Sequence, residues 1–245
     1  MTRYKCIVEY DGTNFHGWQR QNGFSSIQQS IEEAIVKFAQ EEVEVYASGR
    51  TDAGVHALGQ VIHFDINKEM PKENVMGALN YHLRPNPIAI LDIEEVDKDF
   101  HARFDAKERS YIYKMVTRRA PLALDVNRVW QLPRELDIDL MQEAAEYFIG
   151  KHDFTSFRAV RCEAKSPVKT IDELTISRKD GYIIVCIRAK SFLHHMVRNI
   201  VGTLKLVGDG RWSPQQVKDA IDAKDRRAAG PTAPAHGLYF EKVVY

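Results

Sequence analysis

The sequence predicts an α+β protein made of two β-rich halves with helices, joined near residue 105. Three observations carry this expectation. Runs of β-favouring residues recur along the whole chain, and stretches with apolar residues at helical spacing separate them. A similar order of elements starts again after residue 105, with no low-complexity linker between the two passes. The expected domains are residues 1–105 and 106–245.

In the first half, Tyr4 to Tyr10 reads as a strand ended by the turn Asp11-Gly12-Thr13. Ser25 and Gln28 have the spacing of a capping box. Ile27, Ile31, Ile35 and Phe38 then mark one buried helical face. Val43 to Tyr46 reads as a short strand, and Gly59 to Ile66 as a longer one. Pro71 to Tyr81 reads as a helix with proline in its first turn, and Ile88 to Val96 as a strand. This order is the split βαβ pattern of ferredoxin-like folds.

In the second half, Arg109 to Thr117 is a strand with Tyr111 and Tyr113 on one face. Ile138, Met141, Ala145 and Phe148 mark a helix. Val168 to Arg178 and Tyr182 to Lys190 form a hairpin around Asp180-Gly181. Met196, Ile200, Leu204 and Val207 mark a long helix that stops near Gly208-Asp209-Gly210. Ser213, Pro214 and Gln216 open another as N-cap, N1 and N3. Leu238 to Val244 is the last strand.

Bulk properties narrow the function. No apolar run approaches the ~20 residues that span a bilayer, and the N-terminus has no long apolar segment of a signal peptide. The three cysteines, Cys6, Cys162 and Cys186, make no C-x-x-C pair, so a disulfide framework or structural zinc is not expected and a reducing cytoplasm is. Formal net charge is zero, but it is unevenly spread. Residues 1–105 hold 10 Lys and Arg against 17 Asp and Glu; the remainder holds 24 against 17. The basic half, with Lys114, Arg118, Arg119, Arg158, Arg161, Lys165 and Lys169, fits a phosphate-binding face. An ordinary solvated surface is the competing explanation.

Asp52 is the leading candidate for chemistry. It sits in Arg50-Thr51-Asp52-Ala53-Gly54-Val55-His56, where small neighbours leave room for a large substrate. A carboxylate works as nucleophile or general base if it is held ionised and aimed, and a guanidinium favours the ionised form. Arg50 is one such partner. Arg198, on a helix otherwise rich in apolar residues, is another, and local sequence does not rank them. Tyr111 can stack on a base and offer a hydroxyl, or simply pack in the core. The histidines have no recognisable metal-ligand spacing. No P-loop, G-x-G-x-x-G or G-x-S-x-G occurs.

The stretch Gly49 to Ala57 resembles the signature of the TruA family of tRNA pseudouridine synthases. The resemblance runs nearly end to end. It takes in Tyr10-Asp11-Gly12-Thr13 with Phe15, Gly17, Trp18 and Gln19, then Phe104-Asp105-Ala106 with Arg109-Ser110-Tyr111. It continues through Phe192 to Gly202, Gly230 to Pro234, and Gly237-Leu238. It implies a pseudouridine synthase fold of two ferredoxin-like halves whose sheets join around a central cleft. It also implies isomerisation of uridine at positions 38, 39 and 40 in the tRNA anticodon stem-loop, by a homodimer without cofactor or metal. By the same match, Asp52 is the nucleophile, Tyr111 contacts the target base, Arg198 pairs with Asp52, Arg50 helps extrude the base and Leu238 packs the uracil pocket. A non-catalytic RNA-binding module is the alternative, although an RNP1-like run is absent. A hydrolase using Asp52 as base would need a second acid or metal ligands, and none stands out.

Overall fold

The computed structural model describes residues 1–160 and 162–245, so Arg161 of the basic group lies outside the described residues. The chain is a mixed α+β protein that divides into two compact units, Met1–Lys107 with Tyr239–Tyr245, and Glu108–Leu238. Among the described residues, no helix is long and apolar enough to cross a membrane.

The first unit begins with β1 (Thr2–Tyr10), α1 (Ile27–Ala39), β2 (Tyr46–Ala47) and β3 (His56–Ile66). It continues with α2 (Lys72–His82) and β4 (Ile88–Val96), and takes in most of the closing strand β10 (Leu238–Val244). β1 pairs antiparallel with both β3 and β4, β2 pairs antiparallel with β3, and β10 lies parallel to β3. Register follows the apolar pattern. Tyr4 sits opposite Phe64 and Cys6 opposite Ile62, all fully buried. A one-residue slip would turn that row to the opposite face of the sheet, so this register is strongly specified. Helix α1 buries Ile27, Ile31 and Ile35, while α2 buries only Val75 and Leu79.

Two expectations shift here. The cap of α1 is Ser26, whose side chain accepts from the Gln29 N–H, not Ser25, whose hydroxyl donates to the Asn14 carbonyl. Gln28 is drawn away from capping because its carbonyl oxygen accepts from Arg20 N–H and Gln19, and its amide donates to Glu32 and the Val45 carbonyl. Strand β2 begins later than the run from Val43 implied. The Val45 N–H and C=O are claimed by Glu32 and Gln28 of α1, at 3.2 and 3.3 Å, rather than by a neighbouring strand.

The second unit contains β5 (Glu108–Thr117), β6 (Trp130–Leu132), α3 (Ile138–Ala145) and β7 (Gly150–Asp153). After them come β8 (Val168–Lys179), β9 (Tyr182–Ala189), α4 (Met196–Gly208) and α5 (Pro214–Ala223). The antiparallel strands follow the order β5-β9-β8-β7, and β6 lies parallel on β5. Strands β6 and β7 were not expected from the sequence. Asp180 and Gly181 both have positive φ, as a type I′ hairpin turn requires. Tyr111, Tyr113 and Met115 stand opposite Ile187, Val185 and Ile183. Helices α3, α4 and α5 pack together, with α3 against β8.

One buried histidine of the first unit gives the fold a pH dependence. His63 is 2% exposed, and its Nδ1 accepts the Ala102 N–H at 3.2 Å, which requires the unprotonated nitrogen. Burial, with the His101 and Arg3 charges beside it, lowers its pKa to about 4, while Asp65 and Asp105 pull the other way. The fold therefore favours neutral His63. Its contribution is complete above pH ~6.5, where the unfolded histidine is neutral, and is lost as pH falls towards 4. Urea denaturation should show a loss of about 2 kcal/mol across that window. His63→Asn, which keeps an acceptor near Nδ1, should flatten the trend; an unchanged slope would refute it.

Candidate active site

In the first unit the Asp52 loop runs from Ser48 to Val55, between β2 and β3, and its backbone is tied at nearly every step. Ser48 N–H donates to Val61 O at 2.8 Å, and Gln60 donates its amide to Gly49 O at 2.8 Å. Trp18 N–H donates to Thr51 O at 3.0 Å. Val55 N–H donates to Asp52 O at 3.1 Å, closing a turn in which Gly54 takes φ 76. That is the position where a type II turn needs glycine. Gly54 N–H donates to Phe15 O.

Two glycines from the segment after β1 let that segment lie against the loop. A Cβ on Gly12 would stand 2.0 Å from Val55 O, and one on Gly17 would stand 2.7 Å from Thr51 O. Gly17 also has φ 91, which L side chains rarely adopt. Below the loop, His56 stacks on Tyr239 and its Nδ1 accepts the Gly12 N–H at 3.0 Å. The ring nitrogen also lies 3.2 Å from an Asp11 carboxylate oxygen, which itself accepts from Thr13 N–H.

Burial along the loop separates roles. Thr51 is buried, Asp52 is half-buried and Arg50 is exposed. The Arg50 side chain makes no hydrogen bond or ion pair among the described residues, which leaves its five donors available to a phosphate or base.

In the second unit, Tyr111 is buried on β5 and meets Phe192 edge to face, with centroids 5.1 Å apart. Arg109, two residues earlier on the same face, donates to the Lys190 carbonyl at 2.6 Å. Arg198 is held on α4 by two contacts with one residue: its Nε donates to Ala233 O at 2.8 Å, and its carbonyl accepts Ala233 N–H at 3.0 Å. Its positive charge faces Tyr113, whose pKa burial raises strongly and the Arg198 cation lowers in part. Tyr113 in turn donates to Pro234 O at 2.8 Å, and its ring fills the space where a Gly237 Cβ would lie. That contact places Leu238, 5% exposed, at the first position of β10.

The segment Gly230–Pro234 is supported from behind by residues the sequence had not singled out. Arg226 donates to Gly230 O at 2.9 Å, Asn199 Oδ1 at 3.0 Å and Thr232 Oγ1 at 3.1 Å. Thr203 Oγ1 accepts Gly230 N–H and donates to Asn199 O. Partial burial lowers the Arg226 pKa, yet its partners are all neutral acceptors among the described residues. The available signal was a glycine, Gly202, inside a helix rich in apolar residues.

A profile of the tRNA pseudouridine synthase family matches residues 6–105 and 144–245, which include the whole Asp52 loop and most of the second unit. The chain belongs to the tRNA pseudouridine synthase family. It is 53% identical over 245 residues to a tRNA pseudouridine synthase A of Rhodospirillum centenum, covering all of both chains. It is 55% identical over 243 residues to another, from Rhodospirillum rubrum, covering 99% of this chain and 87% of that one. A solved structure titled "Crystal Structure of a Cbf5-Nop10-Gar1 Complex" aligns at a TM-score of 0.33 and 12% identity. That alignment covers 93% of this chain and 69% of that one, a likeness too slight to argue from. Family membership makes this synthase an isomerase, so the groups to account for are those that break and remake one glycosidic bond.

Proposed function

We propose that the chain isomerises uridine to pseudouridine at positions 38, 39 and 40 in the anticodon stem-loop of tRNA, with Asp52 as the nucleophile. The observation that carries this reading is the Asp52 loop: a half-buried carboxylate on a turn whose backbone is fixed by five hydrogen bonds, flanked by an exposed arginine. Pre-set geometry of this kind is what a reacting carboxylate needs.

The reaction breaks the N1–C1′ bond, turns the uracil and rejoins it through C5, after which the C5 proton leaves. Asp52 stabilises or traps the electron-poor C1′, removes a ribose proton, or adds to uracil C6; each route needs it ionised. In this reading Arg198 supplies the charge that keeps it so. Tyr111 touches the base and assists removal of the C5 proton, and Leu238 packs the uracil. A stem base must first leave its stack, at a cost of a few kcal/mol, and Arg50 takes the vacated place. The resemblance implies two ferredoxin-like halves joined around a cleft; the order β1-α1-β2-β3-α2-β4 of the first unit supports this for that half. Residues 1–105 carry the catalytic loop, and the basic residues 106–245 bind phosphates. The resemblance further supports a homodimer, and the three free cysteines fit a reducing cytoplasm.

The test is incubation of purified protein with unmodified tRNA transcript, with pseudouridine read by carbodiimide labelling and primer extension. Stops at 38–40 support the reading, and no product overturns it. Arg198→Leu should lower turnover at least tenfold while leaving the Tm within a few degrees. Turnover near wild type would remove Arg198 from the mechanism.

A further inference from the structure

We propose that the Thr51 hydroxyl, clamped by the Tyr10 hydroxyl, positions the Asp52 carboxylate for attack; the proposal rests on Asp52 being the reacting group. Tyr10 closes β1 and is 2% exposed, Thr51 is 8% exposed, and their oxygens lie 2.8 Å apart. Burying two hydroxyls is favourable only if each finds a partner. Apolar packing could fill the same space without that requirement, so the pair contributes what packing does not: direction.

A hydrogen bond on Thr51 Oγ1 fixes the rotation of a β-branched side chain that is already restricted. The Thr51 carbonyl is held separately by Trp18 N–H, so this residue is fixed at both side chain and backbone. The next atoms along the chain are those of Asp52. Burial pushes the Tyr10 pKa up to about 12, while Thr51 and Gln60 pull it down, so the phenol stays protonated and keeps its bond. Gln60 extends the clamp, because its carbonyl oxygen accepts from Ser48 Oγ at 2.5 Å while its amide holds Gly49 O. Tyr10 and Thr51 do not touch substrate in this account; they are positioning residues.

The experiment compares Thr51→Val, which keeps the shape and loses the hydroxyl, with Thr51→Ser, which loses a methyl and keeps the hydroxyl. Direction predicts that kcat falls ~10–100-fold for Thr51→Val, with KM for tRNA unchanged, and stays within about threefold of wild type for Thr51→Ser. Packing alone predicts the reverse order, with Tm, KM and kcat moving together; that order overturns the proposal. Tyr10→Phe should reproduce the Thr51→Val loss, and the double variant should be no worse than either single one. If Thr51→Val does not fold, Tyr10→Phe decides, and a kcat near wild type overturns the proposal. Asp52→Asn is run beside them. An active Asp52→Asn sinks the nucleophile reading, whereas an inactive one with an active Thr51→Val sinks only the positioning role.

Discussion

Asp52→Asn is expected to lose pseudouridine formation by roughly 10³-fold or more while tRNA affinity changes by no more than a few fold. The amide keeps the volume and one acceptor of the carboxylate but cannot carry the charge that makes it a nucleophile. The backbone of Ser48, Gly49, Thr51, Asp52 and Gly54 is held by partners at Val61, Gln60, Trp18, Val55 and Phe15, all of which the substitution leaves in place. The Tm should therefore stay within about 2 °C, and the loss should fall on kcat rather than KM. Asp52→Ala should behave alike, since what matters is the missing charge. Pseudouridine formed by either variant at the wild-type rate would assign the chemistry to another group.

The second large effect is structural and pairs two glycines of opposite sign. Gly202 lies inside α4, where alanine is ordinarily favoured by about 1 kcal/mol. Here a Cβ would stand 1.7 Å from Pro231 O and 2.9 Å from Pro231 C. These are backbone atoms, and a Cβ on Gly230 beside them would stand 2.8 Å from Thr203 Cα. The segment has no cheap way to yield, so Gly202→Ala should destabilise by about 3 kcal/mol or more. Any displacement of Pro231 also moves Ala233, whose carbonyl holds Arg198, so turnover should fall further than stability alone accounts for. Gly77→Ala, on the exposed side of α2 with nothing within 4 Å of the new atom, should instead stabilise by about 0.5–1 kcal/mol. Urea midpoints moving in opposite directions would bear this out; two equal shifts would contradict it.

What the sequence made legible was whatever local chemistry decides. Ile88–Val96 and Leu238–Val244 lie where their β-favouring runs placed them, and Ser213 forms the capping box its spacing implied. Asp180-Gly181 turns the hairpin because both central positions need positive φ, which aspartate tolerates and glycine adopts freely. Long-range contacts were not legible. Val45 looked like a strand residue, and nothing nearby reveals that Gln28 and Glu32 take its backbone groups. The Asp52 loop was visible as a loop with an acid, but its rigidity comes from Phe15, Gly17 and Trp18, more than 30 positions earlier. Periodicity and spacing do not record such closures. Arg226 escaped for the same reason: an arginine in Arg226-Arg227-Ala228 reads as surface, and only the fold brings it to Gly230, Asn199 and Thr232.

The return of β10 to the first unit has a consequence for synthesis. Residues 1–107 leave the ribosome early, yet Tyr239 and Phe240, which pair with His56 and Ala57, are made only after Glu108–Leu238. At about 5–20 residues per second those ~130 residues take roughly 7–25 s. During that time the His56–Gly59 end of β3 waits beside the Asp52 loop as an unpaired strand edge, the kind of template that invites pairing with another chain. The nascent polypeptide is thus most exposed to aggregation at the strand that leads out of its candidate catalytic loop, and release of the C-terminal strand closes that window.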